Sequence, residues 1–250
     1  MATSGTYTDQ ANNLAVIKAA FRKMGRLGDH ESFADTDNRY TSGLAALKLI
    51  VKEYAALGMP LWAIEETSVA LSNFTTAAGV TLGLSGATVT MVSPLRVLQV
   101  VRRDSVDSTD PQDLVLTPYE QDTYNTIPGK SITGAPNFYT YYPQNSATVY
   151  PVLSTLKVWP LPDTYWTTNG SLIVRYVRPL QDVGTSTQDL DFPAEWQRAI
   201  VYALAYDLAP EYGVDLNQRD RLMRDRDSLL KRAEEMGTEE GSFFIQPKKR

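Results

Sequence analysis

No cysteine occurs among the 250 residues, and histidine occurs once, as His30. Without thiols there is no disulfide, no cysteine nucleophile, no iron–sulfur cluster and no thiolate zinc site, and a lone imidazole excludes a histidine-rich metal site. A Ser-His-Asp triad would have to run through His30, which sits in Gly28-Asp29-His30-Glu31-Ser32 and reads as a solvated loop residue. Long apolar runs are also missing: nothing approaches the roughly 20 consecutive apolar residues of a membrane span, so no membrane association is expected. The opening Met1-Ala2-Thr3-Ser4-Gly5-Thr6 has neither a basic nor an apolar signal region, so no signal peptide is expected. Nor is there an excess of positive charge. With 24 basic against 29 acidic residues and a net charge of −5, the chain lacks the clustered basic surface that phosphate recognition demands. The absence of cysteine fits a virion as well as a cytoplasm.

What is present is an ordinary globular composition, 43% hydrophobic and 21% charged, long enough for one large domain or two small ones. It is unevenly distributed. From Asp9 to Arg26, Leu14, Ile17, Phe21 and Met24 recur at the spacing of one helix face, and Gly25 and Gly28 supply a stop. A second helix is expected over about Asn38 to Leu57, with Leu44, Leu47, Val51 and Tyr54 on one stripe and Gly58 and Pro60 beyond it. Helix returns at Pro193, with Trp196, Ile200, Leu204 and Leu208 on one stripe and Pro210 and Gly213 at its end. A last helix over about Leu216 to Met236 is densely charged around a narrow seam of Leu222, Leu229, Ala233 and Met236. Its charges read as a solvated face with ion pairs along the helix, or, for Arg219, Arg221, Arg224 and Arg226, as contacts to a neighbouring subunit.

Between the helical ends, from about Leu61 to Val183, Thr, Tyr, Val, Pro and Gly dominate. Alternation marks strands at Ser171 to Arg178 and Leu153 to Trp159. Asn169-Gly170 and Pro160-Leu161-Pro162-Asp163 then suggest that the two form a hairpin with a loop of about ten residues. Val97 to Val101 and Phe138 to Tyr142 are further strands. Thr117-Pro118-Tyr119-Glu120 has the form of a helix start, with the helix ending near Thr126. The fold class expected is α+β: an antiparallel-type helical bundle built from residues 1–60 and 191–236, an inserted β-rich domain over 61–190 with one short helix, and an extended tail over 237–250.

Catalytic and cofactor motifs do not emerge. Gly79 to Gly86 lacks the lysine of a P-loop and the glycine spacing of a dinucleotide site. Asp104 to Asp110 lacks the glycine and closing glutamate of a calcium loop. No spacing singles out a carboxylate pair among the 29 acids. No enzymatic activity, cofactor or metal is therefore expected. The aromatics Phe138, Tyr139, Tyr141, Tyr142, Tyr150, Trp159, Tyr165 and Trp166 read first as core of the β-rich part. Exposed on a sheet, they would instead stack on sugar rings, the basis of an alternative as a carbohydrate- or receptor-binding virion protein.

Three phrases in order resemble the head-to-tail connector, or portal adaptor, proteins of tailed bacteriophages, especially the tail accessory factors of short-tailed phages. They are the helices Leu14 to Gly25 and Leu44 to Tyr54, the middle series Ser131 to Pro136, Leu156 to Pro162 and Val174 to Leu180, and the return helix Phe192 to Gly213. The resemblance implies a homo-oligomeric ring, commonly of twelve copies, in the virion's head–tail neck. Such a ring docks on the portal protein, meets downstream tail or nozzle proteins and extends the channel through which DNA passes without sequence-specific binding. It implies synthesis in the host cytoplasm. It also implies that the C-terminal tail reaches the portal or a neighbouring subunit, with Phe243, Phe244 and Ile245 as apolar anchors and Lys248, Lys249 and Arg250 meeting acidic surface. The sizeable β insert departs from the shorter family members.

Overall fold

The computed structural model describes residues 10–28, 30–57, 61–107, 109–143 and 153–236. The chain is a mixed α+β protein. In order it forms α1 (Asn13–Lys23), α2 (Asn38–Leu57), β1 (Ile64–Ala70), β2 (Val80–Gly83), β3 (Val89–Thr90), β4 (Arg96–Asp104), β5 (Gln112–Val115) and β6 (Thr117–Pro118). Next come α3 (Gln121–Thr126), β7 (Thr133–Gly134), β8 (Phe138–Tyr142), β9 (Ser154–Trp159), β10 (Leu161–Pro162), α4 (Thr164–Asn169) and β11 (Gly170–Val177). The last elements are α5 (Gln197–Leu208) and α6 (Leu216–Met236). Two compact units result: Met1–Trp62 together with Leu180–Arg250, and Ala63–Pro179.

In the first unit, α5 packs against α1, α2 and α6. Its stripe Ile200, Leu204 and Leu208 is buried together with Trp196, which immediately precedes the helix, as are Ile17, Phe21 and Met24 of the first helical stretch and Leu47, Val51 and Tyr54 of α2; Leu14 and Leu44 are only half-buried. Helix α1 is shorter than the Asp9–Arg26 periodicity predicts, because the Asn12 side chain accepts from the Ala15 amide and caps the helix there. Asp9 itself, with Gly58 and Pro60, lies outside the described residues. Gly25 and Gly213, both at positive φ, close α1 and α5 in the same way: Arg26 N–H bonds to Phe21 C=O, and Val214 N–H to Ala209 C=O. The Arg26 guanidinium then donates to Gly213 C=O across 187 residues of sequence, at 2.6 Å. Segment 180–190 belongs to this unit too. Buried Asn13 donates through Nδ2 to Thr185 C=O at 2.8 Å, and its amide donates to Gln188 C=O at 2.9 Å. Tyr54, Trp62, Phe192 and Trp196 form an aromatic cluster with centroids 4.9–6.5 Å apart.

The second unit contains a four-stranded sheet in the order β1-β11-β4-β5 and a five-stranded sheet in the order β3-β2-β9-β8-β6. One buried cluster draws on both sheets: Leu172, Val174 and Tyr176 of β11 and Val100 of β4 join Val80, Leu82, Tyr139, Leu156 and Val158. This follows from period-2 alternation, which puts every second residue of each strand on the inner face. In β4 the pairing skips Leu98, since Gln99 faces Arg175 while Val97 faces Tyr176. That extra residue keeps Val97 packed on the core.

Two expectations are corrected here. Strands β9 and β11 do not form a hairpin: β9 pairs with β2 and β8, whereas β11 pairs with β1 and β4. Between them lie β10 and helix α4, capped by the Asp163 carboxylate accepting from the Trp166 amide at 3.1 Å. That turn of helix carries the chain from one sheet to the other. Likewise, Thr117-Pro118 does not begin a helix. It pairs in parallel with β8, the Thr117 and Tyr119 amides donating to Asn137 and Tyr139 C=O, so α3 starts only at Gln121. Sheet pairing outcompetes a local capping signal there.

Candidate functional site

The densest charge lies on α6. Leu222 and Ala233 are buried and Leu229 is half-buried, so the narrow seam is the packed face. Met236 lies at the helix end. The four arginines differ. Arg221 and Arg224 are exposed. Arg226 bonds Asp227 at 2.7 and 2.9 Å and lies over the Tyr206 ring at 4.7 Å, so its charge is engaged within the unit. Arg219 is half-buried, with Nε shielded from solvent and without a hydrogen-bond partner among the described residues. Arg221, Asp225, Asp215 and Gln218 border a groove of about 450 Å³ with Lys23 and Tyr202. Lys23 Nζ stands 5.4 Å from the Tyr202 ring. The groove mixes both signs of charge, which suits a polar protein contact rather than retention of a polyanion. No sequence signal pointed to Lys23 or Tyr202, because they meet α6 only through tertiary packing.

The tail residues Phe243, Phe244, Ile245, Lys248, Lys249 and Arg250 lie outside the described residues. His30 is exposed in a turn. Among the described residues no group of His, Asp and Glu gathers to hold a metal ion, and no helix is long and apolar enough to cross a membrane.

The aromatic cluster of the β-rich unit is largely engaged by protein. Tyr139 is buried, and Tyr141 donates to Pro94 C=O. Burial pushes both phenols above their ordinary pKa. Phe138 stacks on Tyr119 at 4.3 Å and lies 5.7 Å from Trp159, whose Nε1 donates to Gly129 C=O at 3.0 Å. Trp166 is covered by the Arg102 guanidinium at 4.1 Å. Tyr165 is exposed, but its hydroxyl donates to Asp104 at 2.6 Å. Tyr150 lies outside the described residues. Phe138 and Trp166 therefore each have one ring face covered by protein.

A second surface feature was not anticipated. All four residues of β5, an edge strand, are exposed, with Leu114 and Val115 at 48% and 57% and nearby Val106 at 60%. Arg103 holds Asp113 through two hydrogen bonds of 2.7 and 2.8 Å, which keeps that carboxyl below its usual pKa range. The turn joining β4 to β5 carries Asp107 and Asp110, neither with an ion-pair partner among the described residues. Short apolar strands are visible in a sequence, but which of them lies at an edge is not.

Compared with known proteins, the chain matches no family model and no curated protein.

Proposed function

We propose that this protein is a structural virion subunit, forming a ring-shaped adaptor between a phage portal and its tail and extending the DNA channel. In this reading α1, α2, α5 and α6 are one bundle, the β-rich unit is an insertion into it, and association depends on surfaces rather than on an active site. The observation that carries it is the joining of the chain's two ends: α1 and α2 share a unit with α5 and α6, tied by the Arg26–Gly213 bond, while residues 63–179 make a unit of their own. That is the segment order on which the likeness to portal adaptors rests. The mixed-charge face of α6 is suited to contact with neighbouring copies, and it exposes Arg221 and Arg224. Native mass spectrometry and electron microscopy of the full chain, with portal protein added, test the proposal. Multimers near the portal's symmetry are expected; a chain that stays monomeric and ignores the portal refutes it.

A further inference from the structure

The two sheets of the β-rich unit end differently. The five-stranded sheet is bounded by two-residue strands, β3 and β6, the latter holding Pro118. Such short or proline-bearing edges discourage a further strand. The four-stranded sheet lacks these devices: its edge strands β1 and β5 contain no proline or lysine and pair inward without a bulge. Leu116 N–H donates to Val100 C=O, and Arg178 N–H to Ala63 C=O. Because antiparallel pairs alternate between bonded and non-bonded, these bonds set the phase at each edge. The amides and carbonyls of Asp113 and Val115 on β5, and of Glu66, Ser68 and Ala70 on β1, point away from the sheet. All these side chains are exposed, on the face opposite the buried cluster. Both edges are templates for an added strand.

We infer that β5 of one copy pairs with β1 of the next, so that the four-stranded sheets join into one continuous sheet around the ring. The inference rests on the adaptor reading for the ring itself and names the contact that builds it. Strand direction selects a second copy as the occupant. Each strand in β1-β11-β4-β5 is antiparallel to its neighbour, so β1 and β5 run in opposite directions. A copy added in the same orientation therefore offers β1 antiparallel to β5, and the step repeats from copy to copy, as a heterologous ring contact must. The side-chain rows agree. Ser68, Ile173, Val101 and Val115 lie in register across the sheet, with Ile173 and Val101 half-buried. Setting Val115 against Ser68 of the next copy continues that row. It also sets Leu114, 48% exposed on the core-facing side, against Val69, and Asp113 against Ala70. Charge decides against the neighbouring registers: sliding β1 by one two-residue step brings Glu66 against Val115, and by a second step against Asp113. In the register chosen the acids stay apart and keep their own partners, Arg103 for Asp113 at 2.7 Å and Arg175 for Glu66 at 3.9 Å.

A chain without cysteine makes the test clean. Full-length Ser68→Cys and Val115→Cys variants, both at exposed positions, are mixed with portal protein and mildly oxidised. They should cross-link to each other, because bonded antiparallel partners have Cα atoms about 5.5 Å apart, within disulfide reach. A chain carrying both substitutions cannot bridge within itself, since three strand spacings, about 14 Å, separate the two sites. It should instead give a ladder of covalent oligomers whose last rung is the ring. Glu66→Cys mixed with Val115→Cys, one two-residue step out of register, should yield about fivefold less cross-link. Equal yields from the two pairs, no cross-link, or a Leu114→Cys or Val115→Cys variant that dimerises by itself, as β5 pairing with β5 would require, overturns the inference. Portal-dependent rings that form without the cross-link refute the strand contact and leave the adaptor reading intact. A covalent ladder whose multimers ignore the portal upholds the contact and refutes the adaptor reading.

Discussion

Arg102 should hold the β-rich unit together at one end of its core. It follows Val100 on the inner face of β4, where alternation would otherwise place an apolar residue. Its Nη1 donates to the carbonyl of buried Pro136 at 2.7 Å and to Asn137 Oδ1 at 3.1 Å, and its guanidinium covers the Trp166 ring at 4.1 Å. Partial burial lowers its pKa without approaching neutrality. Arg102→Met keeps the stem and removes the head. A charge-assisted bond to a buried carbonyl contributes about 1.5–3 kcal/mol, and a half-exposed cation–π contact about 0.5–1 kcal/mol. Some of this is recovered because water reaches the vacated edge, so the net loss should be about 2 kcal/mol, or about 4–8 °C in Tm. Arg102→Lys should fall between, since an ammonium cannot both stack and donate in plane. Urea melts of the wild type, Arg102→Met, Trp166→Leu and the double variant close a cycle whose coupling should be at least about 0.5 kcal/mol. A loss below about 0.5 kcal/mol with no coupling would refute the reasoning. If Arg102→Met then bound glycans on an array while the wild type did not, the guanidinium over the Trp166 ring would be what keeps a sugar from that face.

Gly79 sits at φ +81°, and a Cβ there would meet Leu156 O at 2.4 Å; Gly79→Ala should therefore cost more than about 1 kcal/mol in a urea melt. Buried Tyr54 has its pKa pushed up to about 12, and burial also raises those of Tyr139 and Tyr176. The unfolded chain ionises these phenols near pH 10 while the folded chain holds them neutral. Stability should thus be full below pH 10 and fall between pH 10 and 12, as followed by tyrosinate absorbance; Tyr54→Phe should flatten the fall. Arg221→Ala and Arg224→Ala should leave the melting midpoint within about 0.5 kcal/mol of wild type yet weaken assembly on the portal in sedimentation. Deleting residues 242–250 should likewise leave the melt unchanged and impair portal docking or ring stability.

How far the sequence carries depends on the range of the interaction. Helices α2 and α6 run over the residues their periodicity marks, because an amphipathic stripe and its stop are written within a few turns. Strand β8 is equally local. The failures involve partners: alternation shows that β9 and β11 are strands but not that they lie in different sheets, and Thr117-Pro118 looks like a helix start until β8 offers it amide acceptors. The candidate surfaces divide in the same way. The arginines of α6 are visible as a run of charge. That Arg226 is engaged by Tyr206 while Arg221 lines a groove beside Lys23 is decided by α5 and α1, which are near only in space.

By itself, then, the sequence determined the mixed α+β character, the helical ends around a β-rich middle, and the lack of thiol and histidine-cluster chemistry, all properties of composition and short-range periodicity. Tertiary structure alone decided which strands pair, that Arg102 closes over Trp166, and that β5 is left as an apolar edge. Those outcomes depend on contacts between residues far apart in the chain, where hydrogen bonds and burial compete across the whole molecule and no local pattern records the winner.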